Sequence, residues 1–305
     1  MTSYVVKRIA AAIVTIFLVS TLTFFLMFLI PGGPFLAEKA PSAQTLAALE
    51  KKYGLDQPVY IQYINYMKNL LKGDFGSSLK LRGREVNDII STGFPISAKL
   101  GGLAVIVAVV VGVTLGSLAA LNRGKWFDNL LVFLSTVGIA VPGFVVATVL
   151  MYYFGVQLKI LPTFGLSSPK HYVLPVIALA FYPSAYISRL IRSSMLDVLG
   201  QDYMRTAKAK GLSQLVSLFK HALRNAILPV ITYLGPLLAS ILTGSFVVEK
   251  IFTIPGLGSQ FISSITDRDY PLIMGTTIFY AFLIIAMNVV VDILYKIVDP
   301  RINLK

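Results

Sequence analysis

Three basic residues, Arg205, Lys208 and Lys210, are the side chains whose types and spacing most clearly indicate a chemistry in this sequence. They fall toward the C-terminal end of a predicted short helix at residues 203–210, where cations are favoured by the helix dipole. Clustered Lys and Arg on one exposed helix bind acidic surfaces of other molecules. The cluster therefore predicts a docking surface rather than a catalytic centre.

Two turn-forming residues delimit this helix. Asp202 can cap its first turn, and Gly211 can end it because glycine adopts left-handed backbone geometry freely. Ser213 can then start a second helix, whose apolar residues recur at the i, i+3, i+4 and i+7 positions of one helix face. These apolar residues are Leu215, Leu218, Phe219 and Ala222. The pattern predicts a short helix, a glycine bend and a returning amphipathic helix.

Catalytic chemistry is not indicated elsewhere in the chain. The sequence has no G-x-x-x-x-G-K-[ST] phosphate-binding loop, so we expect no nucleotide hydrolysis by this chain itself. It has no cysteine, which excludes disulfides and thiolate sites. The two histidines, His171 and His221, are predicted on opposite sides of a membrane and cannot share a metal site. Asp292 is an acid near the end of a predicted span, where a structural pair with Lys296 at i+4 is favoured over a functional role.

The surrounding composition is that of an integral membrane protein, with 56% hydrophobic and only 13% charged residues. Six runs approach or exceed the roughly 20 apolar residues that a spanning helix needs. They cover residues 9–30, 100–121, 130–156, 173–188, 227–248 and 272–291. The fourth run is the shortest, and we expect its helix to extend to about residue 191. The sequence predicts an all-α protein with six transmembrane helices.

The orientation follows from the Lys and Arg residues in the short segments between spans, because these are retained on the cytoplasmic side. With the N-terminus inside, thirteen such residues lie in the cytoplasm and four in the short external loops. The prediction is therefore N-in and C-in. The net charge of +13 is divided among membrane-flanking segments, which argues against nucleic-acid binding.

The external segment at residues 31–95 is too long to be a simple connection. It contains helix-like stretches at 42–53 and 59–71, separated by glycine and proline. We expect a small extracytoplasmic helical cap. Its role as a plain cover and its role as a surface for an external partner are equally open.

Several motifs resemble those of one family of transport proteins. The docking segment reads YMRTAKAKGL at 203–212 and HALRNAILP at 221–229, which is similar to the cytoplasmic EAA loop of ABC-importer permeases in its peptide-transporter form. Further matches occur along the whole chain. They are PGGPF at 31–35, GDFG at 73–76, FPISAKLG at 94–101, LTGSF at 242–246, IPGLG at 254–258 and VDPR at 298–301. The chain resembles the peptide/nickel class of binding-protein-dependent permeases, in the B-type form found in oligopeptide importers.

The resemblance implies one permease domain over residues 1–305. Its parts are the first transmembrane helix at 9–30, the external loop at 31–95, and a five-helix core at 96–298 that includes the coupling loop at 195–226. In such permeases the EAA loop places its short helix in a groove of a cytoplasmic ATPase. The coupling residues implied here are Asp202, Tyr203, Arg205, Thr206, Ala207, Lys208, Ala209, Lys210, Gly211 and Leu212.

The sequence departs from the generic EAA pattern, because Arg205 stands where the name-giving glutamate is expected. An ion pair between a permease glutamate and an ATPase arginine is therefore not implied here. Whether Arg205 meets an acid of the ATPase instead is equally open.

The implied assembly contains a second homologous permease, two cytoplasmic ABC ATPases that carry the ATP and Mg, and an extracytoplasmic peptide-binding protein. No cofactor is expected in this chain, and the implied location is a bacterial or archaeal cell membrane. The external contact surfaces that this resemblance implies are residues 31–95 and 249–271. Pro142, Gly143 and Pro236 interrupt predicted spans, so they are candidates for gating or path-lining residues, and packing kinks are at least as good a reading.

Alternatives remain at this point. Within the same family the substrate can be an oligopeptide, a dipeptide or nickel. Outside it, a secondary transporter working alone would need an intramembrane relay of acids and bases or matched repeats with broken helices. A multi-pass membrane enzyme would need a polar catalytic cluster. Neither pattern is evident in the sequence.

Overall fold

The computed structural model describes residues 2–29, 33–35, 42–213 and 216–298. This part of the chain is helical, with one isolated bridge between Ser77 and Glu85. The long helices are α1 (Thr2–Leu29), α4 (Val86–Leu121), α5 (Trp126–Ala140), α7 (Val173–Leu199), α10 (Leu228–Gly244) and α13 (Tyr270–Val298). The shorter helices are α2 (Ala43–Tyr53), α3 (Val59–Leu71), α6 (Gly143–Leu150), α8 (Asp202–Ala209), α9 (Leu223–Ala226), α11 (Phe246–Ile251) and α12 (Leu257–Asp267).

Among the described residues, five helical segments are long and apolar enough to cross a membrane, and a bent pair brings the number to six if it is one span. The bent pair is α5 followed by Gly143–Gln157, whose axes differ by 102°. The break falls at Val141 and Pro142, because a proline cannot donate to the helix ladder and its predecessor avoids helical geometry. The predicted all-α, multi-span class is confirmed. The third span, predicted as one run, is broken in the middle.

The fourth span is longer than predicted. The helix α7 reaches Leu199 rather than ending near residue 191. Met195, which sequence patterning assigned to a polar loop, is completely buried in this helix. The last two turns of α7 therefore carry the chain directly toward the short helix α8.

The chain forms two compact units, one comprising Met1–Ile96 and Pro255–Ile285, the other Ser97–Ile254 and Ala286–Lys305. In the first unit, α2 is capped by Ser42 and ends at Gly54, whose φ is +68°. Phe24, Tyr270, Ile273 and Met274 form a buried cluster in this unit. The predicted external helices at 42–53 and 59–71 thus exist, the second with the predicted bounds.

In the second unit, glycines allow α4 and α5 to approach α7 closely. A Cβ atom placed on Gly112 would lie 2.7 Å from the Cβ of Ile187, and one on Gly138 would lie 2.7 Å from the Cβ of Ala185. Gly116, one turn beyond Gly112, is similarly crowded by α7. Small residues spaced four apart commonly form such close interfaces between membrane helices. These glycines fix the position of α7.

Asp269 fixes the start of α13 within the first unit. Its buried carboxylate accepts hydrogen bonds from the Ser78 hydroxyl, from the Leu79 N–H at 3.1 Å and from the Leu272 N–H at 3.4 Å. The residue therefore caps α13 and ties the segment that contains Ser78 and Leu79 to the start of this helix.

We expect Asp269→Ala to cost about 2 kcal/mol of stability, because the substitution removes a helix cap and leaves buried donors unpaired. The measurement is thermal unfolding of the detergent-purified protein. Asp267→Ala is the matched control, since Asp267 is exposed two residues away. Equal melting temperatures for the two variants would contradict the capping role.

Candidate functional site

The predicted docking segment forms an exposed helix with a buried anchor. In the helix α8, Met204 is 1% exposed, whereas Arg205 is directed outward with 79% of its side chain exposed. The Tyr203 hydroxyl accepts a hydrogen bond from the Asn225 Nδ2 at 2.8 Å, which joins α8 to α9. A helix of eight residues is marginal alone. These two contacts hold it in place.

Most of the predicted coupling residues are accessible to a partner. The exposed ones are Asp202, Tyr203, Arg205, Thr206, Ala209, Lys210, Gly211 and Leu212. The side chains of Ala207 and Lys208 lie outside the described part of the chain. Asp202 is the first helical residue rather than the residue before the helix. Its carboxylate lies 3.5 Å from the Arg205 guanidinium, in a solvent-exposed pair that contributes little to stability.

Gly211 provides the bend after α8, as its sequence context predicts. Its φ is +74°, in the left-handed region, and among the described residues no atom beyond its two chain neighbours lies within 4 Å of the position that a Cβ would occupy. Ser213 follows, and its hydroxyl accepts a hydrogen bond from the Val216 N–H at 3.4 Å. The chain then continues through a π-helical turn at Ser217–Ala222, in which Leu218 and Ala222 are buried. Leu215 and the Phe219 side chain lie outside the described part.

A buried ion pair joins Asp128 of α5 to Arg192, near the end of α7 that precedes α8, and the sequence analysis did not predict it. The Arg192 Nε donates to the Asp128 Oδ1 at 2.6 Å, and its Nη2 donates to Oδ2 at 2.8 Å. The Gly124 N–H donates to Oδ2 at 3.0 Å. Asp128 is 1% exposed, so its charge depends on these donors. The sequence did contain a signal for this pair, since Asp128 lies in the first turn of α5 and Arg192 lies near the end of the next long helix, α7.

The ion pair joins α5 to the end of α7 that leads into α8. A bidentate guanidinium–carboxylate pair fixes orientation as well as distance. The loop before α5 and the segment that leads to the docking helix are therefore held as one piece.

Two of the predicted path-lining residues border one cavity in the second unit. Gly143 and Pro236 both line a cavity of about 550 Å³, together with Tyr182 and Tyr233. Pro142 caps the start of α6 and sets the break between α5 and α6. The Asp292 side chain, a predicted structural pair with Lys296, lies outside the described part of the chain. So do residues 31–32 and 299–301 of the sequence motifs.

Glu249, at the start of the predicted external contact segment 249–271, is fully buried. Its carboxylate accepts a hydrogen bond from the Ser245 hydroxyl. This residue therefore cannot present its side chain to an external partner. Other residues of the segment are exposed, namely Lys250, Thr253 and Pro255 before α12 and Ile265 on α12, which is 49% exposed.

Comparisons with known proteins place the whole chain in one family. Residues 112–304 match the family described as binding-protein-dependent transport system inner membrane component, and residues 1–100 match its N-terminal membrane component. The dipeptide transport system permease protein DppB of Bacillus subtilis is 51% identical over 304 residues, covering 100% of this chain and 99% of that protein. The oligopeptide transport system permease protein OppB of Haemophilus influenzae is 46% identical over 305 residues, covering 99% and 100%.

Solved structures support the fold. A crystal structure of an amino acid ABC transporter covers 69% of this chain and 94% of its own, with a TM-score of 0.54 and 20% identity. An inward-facing MetNI methionine ABC transporter covers 69% and 96%, with a TM-score of 0.57 and 12% identity. These likenesses concern the fold, whereas the family models and the full-length relatives show that the chain belongs to the family of inner membrane components of binding-protein-dependent transport systems.

Proposed function

We propose that this chain is the membrane-spanning permease subunit of an ATP-driven importer of peptides. The observation that carries the proposal is its full-length similarity to permeases named for dipeptide and for oligopeptide transport, at 51% and 46% identity. The exposed basic helix α8 supports it, since a permease without its own nucleotide site needs a surface for an ATPase. Import of nickel by the same family is the alternative within this function.

The proposed coupling proceeds through α8. An ATPase groove receives the exposed face of α8, while Met204 anchors the opposite face to the permease. Movement of the docked helix reaches α7 on one side and α10 on the other, because α8 connects to α7 through two residues and, beyond Gly211, the chain continues through Ser217–Ala222 and α9 into α10. The ion pair of Arg192 with Asp128 keeps the end of α7 rigid, so a rotation of α8 is passed on rather than absorbed locally.

The proposed partners lie on both sides of the membrane. A second homologous permease completes the translocation path, and two ATPases supply the nucleotide chemistry with ATP and Mg. An extracytoplasmic binding protein delivers the peptide to the external segments, with α2, α3 and the exposed face of α12 as its contact surface. The permease itself carries no cofactor in this proposal, and its place is the bacterial inner membrane.

Affinity isolation of a tagged copy in mild detergent, followed by mass spectrometry, tests the assembly. Recovery of a second permease and of P-loop ATPases is the expected result. Uptake of labelled di-, tri- and pentapeptides and of nickel by the reconstituted complex then tests the substrate. A chain recovered alone and competent for transport would overturn the proposal in favour of a secondary transporter.

We expect Arg205→Glu to lower ATPase recovery about tenfold, which corresponds to about 1.4 kcal/mol. The Arg205 side chain is exposed at the centre of α8, so its charge faces any docked partner. If the ATPase groove is acidic, reversal of this charge places like charges together. Arg82→Glu is the matched control, because it makes the same change at an exposed position of the external segment. Unchanged recovery with Arg205→Glu would mean that Arg205 faces solvent in the complex.

A further inference from the structure

A polar stripe runs along one side of α7, a helix that crosses the membrane. Tyr182, Tyr186, Arg189 and Ser193 follow one another at i, i+4, i+7 and i+11, which places them on one helix face. The stripe borders two cavities. Tyr182 lines both the cavity of about 550 Å³ described above and a second one of about 500 Å³, which Tyr186, Arg189 and Ser193 also line.

The tyrosines of this stripe form a continuous aromatic surface. The rings of Tyr182 and Tyr186 are stacked with centroids 6.3 Å apart, and Tyr233 of α10 lies 4.5 Å from Tyr186. Within the part of the chain that the structure describes, none of the three hydroxyls hydrogen-bonds to another residue. Arg189 is exposed and has no acidic partner among the described residues. Hydroxyls and a guanidinium at these positions need water or a polar ligand.

Contact with lipid hydrocarbon would be unfavourable for this polar stripe. An arginine and several hydroxyls within a spanning helix are unfavourable against hydrocarbon and are found facing bundle interiors or water-filled cavities. The opposite side of the same helix is apolar and buried, with Ile187 and Ile191 fully covered. The stripe is therefore the side of α7 that faces a polar environment in the membrane.

We propose that this stripe, with Tyr233, is a peptide-binding wall of the translocation path, in which Arg189 binds the C-terminal carboxylate of the passing peptide. The assignment rests on the proposed function of the chain as a peptide importer. A guanidinium binds a carboxylate in a two-pronged pair, and tyrosine hydroxyls can both donate to and accept from peptide groups. Stacked rings contact varied side chains with little preference.

The chemistry of the stripe favours a peptide over a metal ion. It supplies a positive charge and neutral hydroxyls, whereas nickel is held by imidazole, carboxylate or thiolate groups. In the predicted orientation α7 runs from the external side to the cytoplasm, so Arg189 lies about 10 Å closer to the cytoplasm than Tyr182. A peptide that entered with its carboxylate leading would pass the tyrosines before meeting the arginine.

Cysteine labelling tests the exposure of this wall, because the natural chain has no cysteine. Tyr186→Cys and Ile106→Cys are compared in the assembled complex in nanodiscs, with a small charged methanethiosulfonate reagent. Ile106 is the control, since it is 61% exposed on α4 and lines neither cavity. We expect Tyr186→Cys to react at least tenfold faster and to be protected by trialanine with its binding protein and ATP. Equal labelling rates would overturn the inference. So would slow labelling of Tyr186→Cys that results from the second permease covering this position in the absence of peptide.

Uptake measurements test Arg189 itself. Trialanine and its C-terminal amide are supplied at concentrations that saturate the binding protein. We expect Arg189→Gln to reduce the ratio of free-acid to amide uptake at least fivefold, and Arg189→Lys to restore most of it. Tyr153→Phe, an exposed tyrosine outside both cavities, should leave the ratio unchanged. If the wild type imports trialanine and Arg189→Gln leaves the ratio unchanged, the proposed peptide-binding wall is overturned and the proposed function stands. If the wild type imports no peptide, the proposed function itself is overturned.

Discussion

We expect Gly211→Pro to abolish peptide uptake while the protein still reaches the membrane. Gly211 has a φ of +74°, whereas a proline ring fixes φ near −65°, so the bend that follows α8 cannot form. The spans on either side do not depend on this residue. The loss should therefore appear in uptake and in ATPase recovery, measured in vesicles and by affinity isolation, with a normal amount of permease in the membrane fraction.

Two milder substitutions at Gly211 distinguish the effect of backbone strain from that of a steric clash. Apart from its two chain neighbours, no described residue has an atom within 4 Å of a Cβ placed there, so a small side chain meets no obstacle among the described residues. Asparagine tolerates left-handed geometry, whereas alanine in that geometry costs about 1–2 kcal/mol. Uptake should therefore decline in the order Gly, Asn, Ala, Pro. Normal uptake by Gly211→Pro would show that the bend is not needed for coupling.

The local features of this fold were the most predictable from sequence. The helix α3 and the bend at Gly211 depend on neighbouring residues, since apolar periodicity and a single glycine decide them. The break at Pro142 was foreseen as a loosened helix, but the 102° angle was not. Its size depends on packing of α6 against α7, which no local pattern encodes.

The features that depend on distant residues were missed. Asp128 and Arg192 are 64 residues apart, and each looks like an ordinary charge at a span end when read alone. The close approach at Gly112 likewise requires knowledge that Ile187 lies opposite it. Tyr182 and Tyr186 stand at helical spacing in the sequence, but a role for this stripe could be inferred only once the cavities that it lines were known.

Substitution of Asp128 is the second change for which we expect a large effect. The carboxylate is 1% exposed and is bound by two nitrogens of Arg192 and one N–H of Gly124. Asp128→Asn leaves the Arg192 charge without its partner, and breaking a buried pair on one side costs about 3–5 kcal/mol. Arg192 keeps 29% of its side chain exposed, which places the expected cost toward the lower end of that range. The measurement is thermal unfolding of the purified permease in detergent.

A double-mutant cycle separates the ion pair from the rest of the site. Asp128→Asn with Arg192→Gln replaces the charged pair with two neutral amides, which retain an acceptor for the Gly124 N–H. Since no unpaired charge is then buried, the double variant should recover most of the stability that either single variant loses. Arg189→Gln is the stability control, because Arg189 is exposed three residues earlier on the same helix. Losses that simply add would mean that the two residues act separately, and the end of α7 would then be held by the packing of buried side chains such as Ile187, Ile191 and Met195.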